Sequence, residues 1–185
     1  DNEVALYKGF LRLLAVDGST LRLPESKDLH KDFGSDVANN SIPLARCSIL
    51  YDVLNQLTLD ACIDKYAASE RDLSVQHIKN MNKHAVVRSD FSDLIMFDRG
   101  YGSRFLMFLL NFHKKHFLML VQGNFITEVN TIMNNGEVDA IITIKTYGDD
   151  KKLNHNFREH LADLSKESTL QVRVLIFTLN SGIKE

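Results

Sequence analysis

The run Gly9-Phe10-Leu11-Arg12-Leu13-Leu14-Ala15-Val16 is almost unbroken in apolar character and stops at Asp17-Gly18-Ser19. That pattern predicts a buried strand entering a tight turn. Thr20-Leu21-Arg22-Leu23 then alternates polar and apolar positions up to Pro24, which predicts the return arm of a hairpin. Residues 25–42 carry Lys, Asp, Asn, Ser and Gly with little periodicity and read as a polar surface excursion. Two β-leaning runs follow, Leu44 to Leu54 and Leu57 to Tyr66, separated by Asn55-Gln56, so the first third of the chain predicts an antiparallel meander.

After Ser69 the period changes. Leu73, Val75, Ile78 and Met81 fall at roughly helical spacing up to His84, with Ser69 as N-cap and Asp72 three residues on. Asp93-Leu94-Ile95-Met96-Phe97 is a second buried strand, and it delivers Asp98 at its end. Ser103 opens a helix to about Lys115, with Phe105, Leu106, Leu109, Leu110 and Phe112 on one broad face. His116 to Val121 reads as a strand stopping at Gln122-Gly123. From Asn124 the chain reads as β-rich, with strands over Val138–Tyr147 and Leu170–Leu179 and a charged stretch, Gly148–Ser168, whose middle suits a short helix.

Composition narrows this little. At 185 residues, 44% hydrophobic and 25% charged, the chain has the size and make-up of one globular domain. A net charge of -2 gives no general basic field for nucleic acid, so any such surface has to be local. Cys47 and Cys62 are too few for a disulfide framework and sit among apolar residues, which predicts buried free thiols and a reducing, cytoplasmic setting. No leader pattern or membrane-length apolar run occurs.

The chemistry concentrates at two aspartates. Asp17 and Asp98 each close an apolar strand, and Gly18 and Gly100 follow closely. Two carboxylates from neighbouring strands suit a divalent metal, with glycine permitting close approach. Taken singly, each aspartate is equally a turn residue. Other phosphate chemistries fit poorly: a haloacid-dehalogenase-like nucleophile would stand at Ala15, and no Gly-rich loop ending in Lys and Ser or Thr is present.

Three stretches together carry a family resemblance: Leu14-Ala15-Val16-Asp17-Gly18-Ser19-Thr20-Leu21-Arg22-Leu23-Pro24, then Ala45-Arg46 with Ser48 and Tyr51-Asp52-Val53-Leu54, then Asp93-Leu94-Ile95-Met96-Phe97-Asp98-Arg99-Gly100-Tyr101. In order and separation they resemble the DDE transposases of bacterial insertion sequences, of the insertion-sequence-4 type. The resemblance implies an α/β, RNase H-like mixed sheet flanked by helices, with the first Asp on the first strand and the second after the fourth. It implies an incomplete catalytic core over residues 1–123 and a β-rich insertion over 124–185. Asp17 and Asp98 would be catalytic metal ligands for Mg²⁺ or Mn²⁺, with Gly18, Arg99, Gly100, Tyr101 and Arg46 in support. The implied partner is double-stranded DNA, as element ends and target, acted on by a homodimer associated with the nucleoid.

One part of the family pattern is missing. The third acid belongs to a Tyr-x2-Arg-x3-Glu-x6-Lys signature, yet Tyr147 is followed three residues on by Asp150, and Phe157-Arg158-Glu159-His160 lacks the spacing. The expectation is therefore a truncated product or fragment, not competent for transposition as given. A catalytically inert DNA- or protein-binding remnant is the rival reading, and an unrelated RNase H-like nuclease a third. His113 and His116 straddle a helix end and read as solvated, and His155 and His160 lack partners, so no zinc is assigned. Lys151-Lys152 and Arg158 are candidate phosphate contacts, although charge runs are usually exposed surface. Phe91, Phe97, Phe105, Phe108 and Phe112 read as core.

Overall fold

A computed structural model describes residues 4–36, 42–83, 90–145 and 169–178. The chain's long apolar runs form one five-stranded sheet in the order β3-β2-β1-β4-β5. Its strands are β1 (Leu11–Arg22), β2 (Leu44–Asp52), β3 (Leu57–Lys65), β4 (Ser92–Phe97) and β5 (His116–Met119). β2 pairs antiparallel with both β1 and β3, while β4 is parallel to both β1 and β5. This order and mix of directions is the RNase H-like arrangement.

The predicted hairpin at Asp17 does not form. β1 continues straight through Asp17-Gly18-Ser19 to Arg22, because β2 pairs with it over nine residues, from Leu14 opposite Asp52 to Arg22 opposite Leu44. Ladder pairing along that whole length outweighs the local turn preference of Asp-Gly-Ser. The tight turn lies instead between β2 and β3. There Gln56 takes a positive φ of 55°, and Asn55 donates from its backbone and side chain to the buried Asp52 carboxylate. The polar excursion contains a two-turn helix, α1 (Lys27–Phe33).

α2 (Glu70–Lys83) starts where Ser69 predicts, with the Ser69 hydroxyl accepting from the Arg71 N–H at 3.2 Å. Glu70 and Asp72 in its first turn complement the helix dipole. Leu73, Ser74, His77 and Ile78 lie at i, i+1, i+4 and i+5 and face the sheet, all buried. α3 (Arg104–Phe112) is apolar nearly all round, and every residue from Phe105 to Leu110 is buried. That follows from its position between two cores. Phe105, Leu106, Leu109 and Leu110 join Leu14, Val16, Ile95 and Phe97 over the sheet. Met107 and Phe108 join Ile126, Val129, Ile144 and Leu170 on the other side.

The second core belongs to the segment after residue 124, and here the β-rich expectation needs correction. Thr127–Asn134 forms a helix, α4. Its β-branched composition favours strand, but Ile126, Val129 and Ile132 are three apart and all buried, so packing against α3 overrides propensity. β6 (Asp139–Lys145) and β7 (Thr169–Leu175) pair antiparallel as a separate two-stranded sheet. Gly148–Ser168, Tyr147, and with them Lys151, Lys152, His155, Arg158, Glu159 and His160, lie outside the described residues. Phe112 is 48% exposed and so leaves the expected phenylalanine core, whereas Phe97, Phe105 and Phe108 are buried. Both cysteines are free and half-buried rather than fully buried. Among the described residues no helix is long and apolar enough to cross a membrane.

Candidate active site

The sheet register sets the site. Parallel pairing of β1 with β4 puts Val16 opposite Phe97, so the next residues, Asp17 and Asp98, stand at the same level on adjacent strands. Parallel neighbours lie about 4.8 Å apart. Both aspartates are exposed, and each is oriented by a nearby backbone amide. The Gly18 N–H donates to Asp17 Oδ1 at 2.8 Å, and the Gly100 N–H donates to Asp98 Oδ1 at 2.9 Å. Asp98 thereby caps the 3-10 turn Arg99–Tyr101 that follows β4.

Gly18 has a second role. A Cβ there would lie 2.6 Å from Glu70 Cγ and 2.7 Å from its Cδ, so the Glu70 side chain rests against the β1 backbone in the space that a side chain at residue 18 would take. Glu70 thus packs against Gly18, a contact between residues 52 positions apart in the sequence. Its Oε1 accepts from Arg46 at 3.2 Å, and Arg46 also donates to Thr20 Oγ1 at 3.1 Å and lies 5.4 Å from the Tyr66 ring centroid. Arg71 donates to the Gly100 carbonyl at 3.0 Å, tying the start of α2 to the turn after Asp98. Arg46, Ser69, Glu70, Arg71 and Gly100 line a shallow cavity of about 230 Å³.

Tyr101 closes the site from beneath. It is fully buried and packs on Phe97 with centroids 5.5 Å apart. Burial first, and then the charges of Glu70, Asp17 and Asp98, push its phenol pKa well above that of free tyrosine. The Ser48 hydroxyl, which donates to the Asp17 carbonyl, pulls the other way and offsets part of the rise. Among the described residues no hydrogen bond of good geometry reaches the Tyr101 hydroxyl. Of the residues singled out in the sequence, Asp17, Gly18, Asp98, Gly100, Tyr101 and Arg46 therefore converge on one end of the β1–β4 pair. Arg99 lies in the capped turn with them.

The sequence matches the transposase DDE domain family over residues 8–176. The chain belongs to that family. No match was found among curated proteins. Among solved structures, this DDE domain is similar to a piggyBac transposase in a synaptic complex with hairpin DNA, determined by cryo-EM. The identity is 11% and the TM-score 0.43, and the match covers 84% of this chain and 38% of that chain. The DDE domain thus spans well under half the length of that protein.

The family is divalent-metal dependent, and the donors in this DDE domain suit such an ion. Asp17 and Asp98 offer hard carboxylate oxygens at one level of adjacent strands. Each has one oxygen fixed by a backbone amide, which leaves the other available, the oxygen-donor chemistry that Mg²⁺ and Mn²⁺ select.

Proposed function

We propose that this chain is the catalytic domain of a DNA transposase in which Asp17 and Asp98 hold Mg²⁺ or Mn²⁺ for strand cleavage and strand transfer, as in the insertion-sequence-4 type. The observation that supports this reading is the β1–β4 register, in which Asp17 and Asp98 each follow the last paired residues, Val16 and Phe97. Asp17 and Asp98 would hold the ion, which would supply activation of a water or 3′ hydroxyl and charge stabilisation at the leaving oxygen. The chain's own residues do the rest. Gly18 and Gly100 orient the carboxylates through their N–H groups, and the Glu70–Arg46 pair holds the start of α2 against β1. Arg46 and Arg71, at the rim of the cavity, would contact the phosphates of double-stranded DNA from an element end or target. Arg99 and Tyr101 support Asp98 through the capped turn. The homodimer belongs to this reading as the assembly that would pair two element ends.

Calorimetric titration with Mn²⁺ of the wild-type chain, Asp17→Asn and Asp98→Asn tests the reading. A saturable heat that either substitution reduces at least tenfold in affinity supports it. Equal heats in all three, with DNA binding retained, would instead leave an inert DNA-binding module.

A further inference from the structure

Directly behind Asp17 runs a chain of buried polar groups that the metal site does not use. Ser48 on β2, 1% exposed, donates its hydroxyl to the Asp17 carbonyl at 3.0 Å. His77 on α2, 0% exposed, places Nε2 3.1 Å from Ser48 Oγ and Nδ1 2.7 Å from Asp60 Oδ2. Asp60 on β3 also accepts from Asn80 Nδ2 at 2.9 Å, and Gln76 fixes Asn80 in turn at 2.8 Å. The Cys62 sulfur lies 3.6 Å from His77 Nδ1 and 3.8 Å from Asp60 Oδ2.

Counting protons along this chain decides its state. A hydroxyl has one hydrogen, and a carbonyl can only accept. If Ser48 gives its proton to Asp17, the contact with Nε2 requires His77 to donate there. An ionised carboxylate also accepts only, so the 2.7 Å contact with Asp60 requires a proton on Nδ1 as well. We propose that His77 is a buried imidazolium paired with Asp60, and that the Asp60–His77–Ser48 chain is a positioning device that fixes the main chain of Asp17. With the Gly18 N–H on Asp17 Oδ1, residue 17 is then held at both its carbonyl and its carboxylate. Outer hydrogen bonds of this kind keep metal ligands in their working geometry. The arrangement of the cluster favours a proton over a metal between its three ligand atoms. The Nδ1–Oδ2 distance of 2.7 Å is that of a charge-assisted hydrogen bond.

The part of this inference that concerns metal affinity rests on Asp17 being a metal ligand, so the test has two arms. Nitrogen-15 NMR of the wild-type chain at neutral pH should show both His77 ring nitrogens protonated. An unprotonated ring nitrogen, or zinc retained stoichiometrically on Asp60, Cys62 and His77, would overturn the proposal. In the second arm, Ser48→Ala should weaken Mn²⁺ binding about tenfold without moving the melting temperature in proportion, and Ser48→Thr, which keeps the hydroxyl, should restore most of it. Unchanged affinity in Ser48→Ala would overturn the positioning role. Should wild-type and Asp17→Asn bind Mn²⁺ alike, the metal reading fails alone. The Gly18 amide resonance then decides the positioning: it shifts in Ser48→Ala if the chain holds residue 17, and stays put if it does not.

Discussion

Gly18 shows how much a single position can carry in this fold. Its missing side chain is the space Glu70 occupies, with only 2.6 Å to spare for a Cβ. Gly18→Ala should push the flexible, part-exposed Glu70 side chain aside and loosen its pair with Arg46 at a cost of no more than about 1 kcal/mol, read from urea unfolding; an unchanged Glu70–Arg46 pair would contradict the close approach. Asp60 gives a pH signature. Burial alone would raise its pKa, but hydrogen bonds from His77 and Asn80 and the His77 charge outweigh it and hold the carboxyl below the usual range. A depressed folded-state pKa contributes stability that is full above the unfolded value, about 3.9, and is lost as pH falls through the folded one. The gap in melting temperature between wild type and Asp60→Asn should therefore be widest above about pH 4 and narrow in stronger acid. The aspartates Asp17 and Asp98 were legible in the sequence because each ends an apolar run before a nearby glycine. Glu70 and His77 were not, because their partners are 52 and 29 residues away. The one signal was a histidine adjoining Ile78 on the helix face that Leu73 also buries.

At the scale of elements, the strands and the two long helices were readable from their periods, and the errors share one cause. Asp17-Gly18-Ser19 predicts a turn and the segment from Asn124 a β-rich stretch on local preference, and in the first β1–β2 pairing and in the second the packing of Thr127–Asn134 as a helix decide otherwise. α3 is the element on which most depends, since it faces both cores. Leu109→Ala, on the sheet side, should cost about 2–5 kcal/mol. Phe108→Ala, on the other side, should cost about 3–5 kcal/mol and speed amide exchange in β6 and β7 more than in β1 and β4. Equal acceleration in both sheets would show that α3 does not separate two cores.

Across the whole molecule, the two ends of the β1–β4 pair carry different charge arrangements. Where the strands begin, Asp93 binds Arg12 at 2.7 Å and Lys115 at 3.2 Å, a partly buried triad that fastens β1, β4 and the approach to β5. Asp93→Ala leaves both cations without that carboxylate and should destabilise the chain by about 1–3 kcal/mol while leaving Mn²⁺ affinity within twofold. Where the β1–β4 pairing ends, Asp17, Asp98 and Glu70 stand close enough to the buried Tyr101 for their charges to act on its phenol. The family match spans both ends and both cores. The most direct test of the paired aspartates is paramagnetic broadening by substoichiometric Mn²⁺ in amide NMR spectra. The Gly18 and Gly100 resonances should broaden first and together, and lose that effect in Asp17→Asn. Broadening centred elsewhere, or spread evenly over the acidic surface, would contradict a metal site at Asp17 and Asp98.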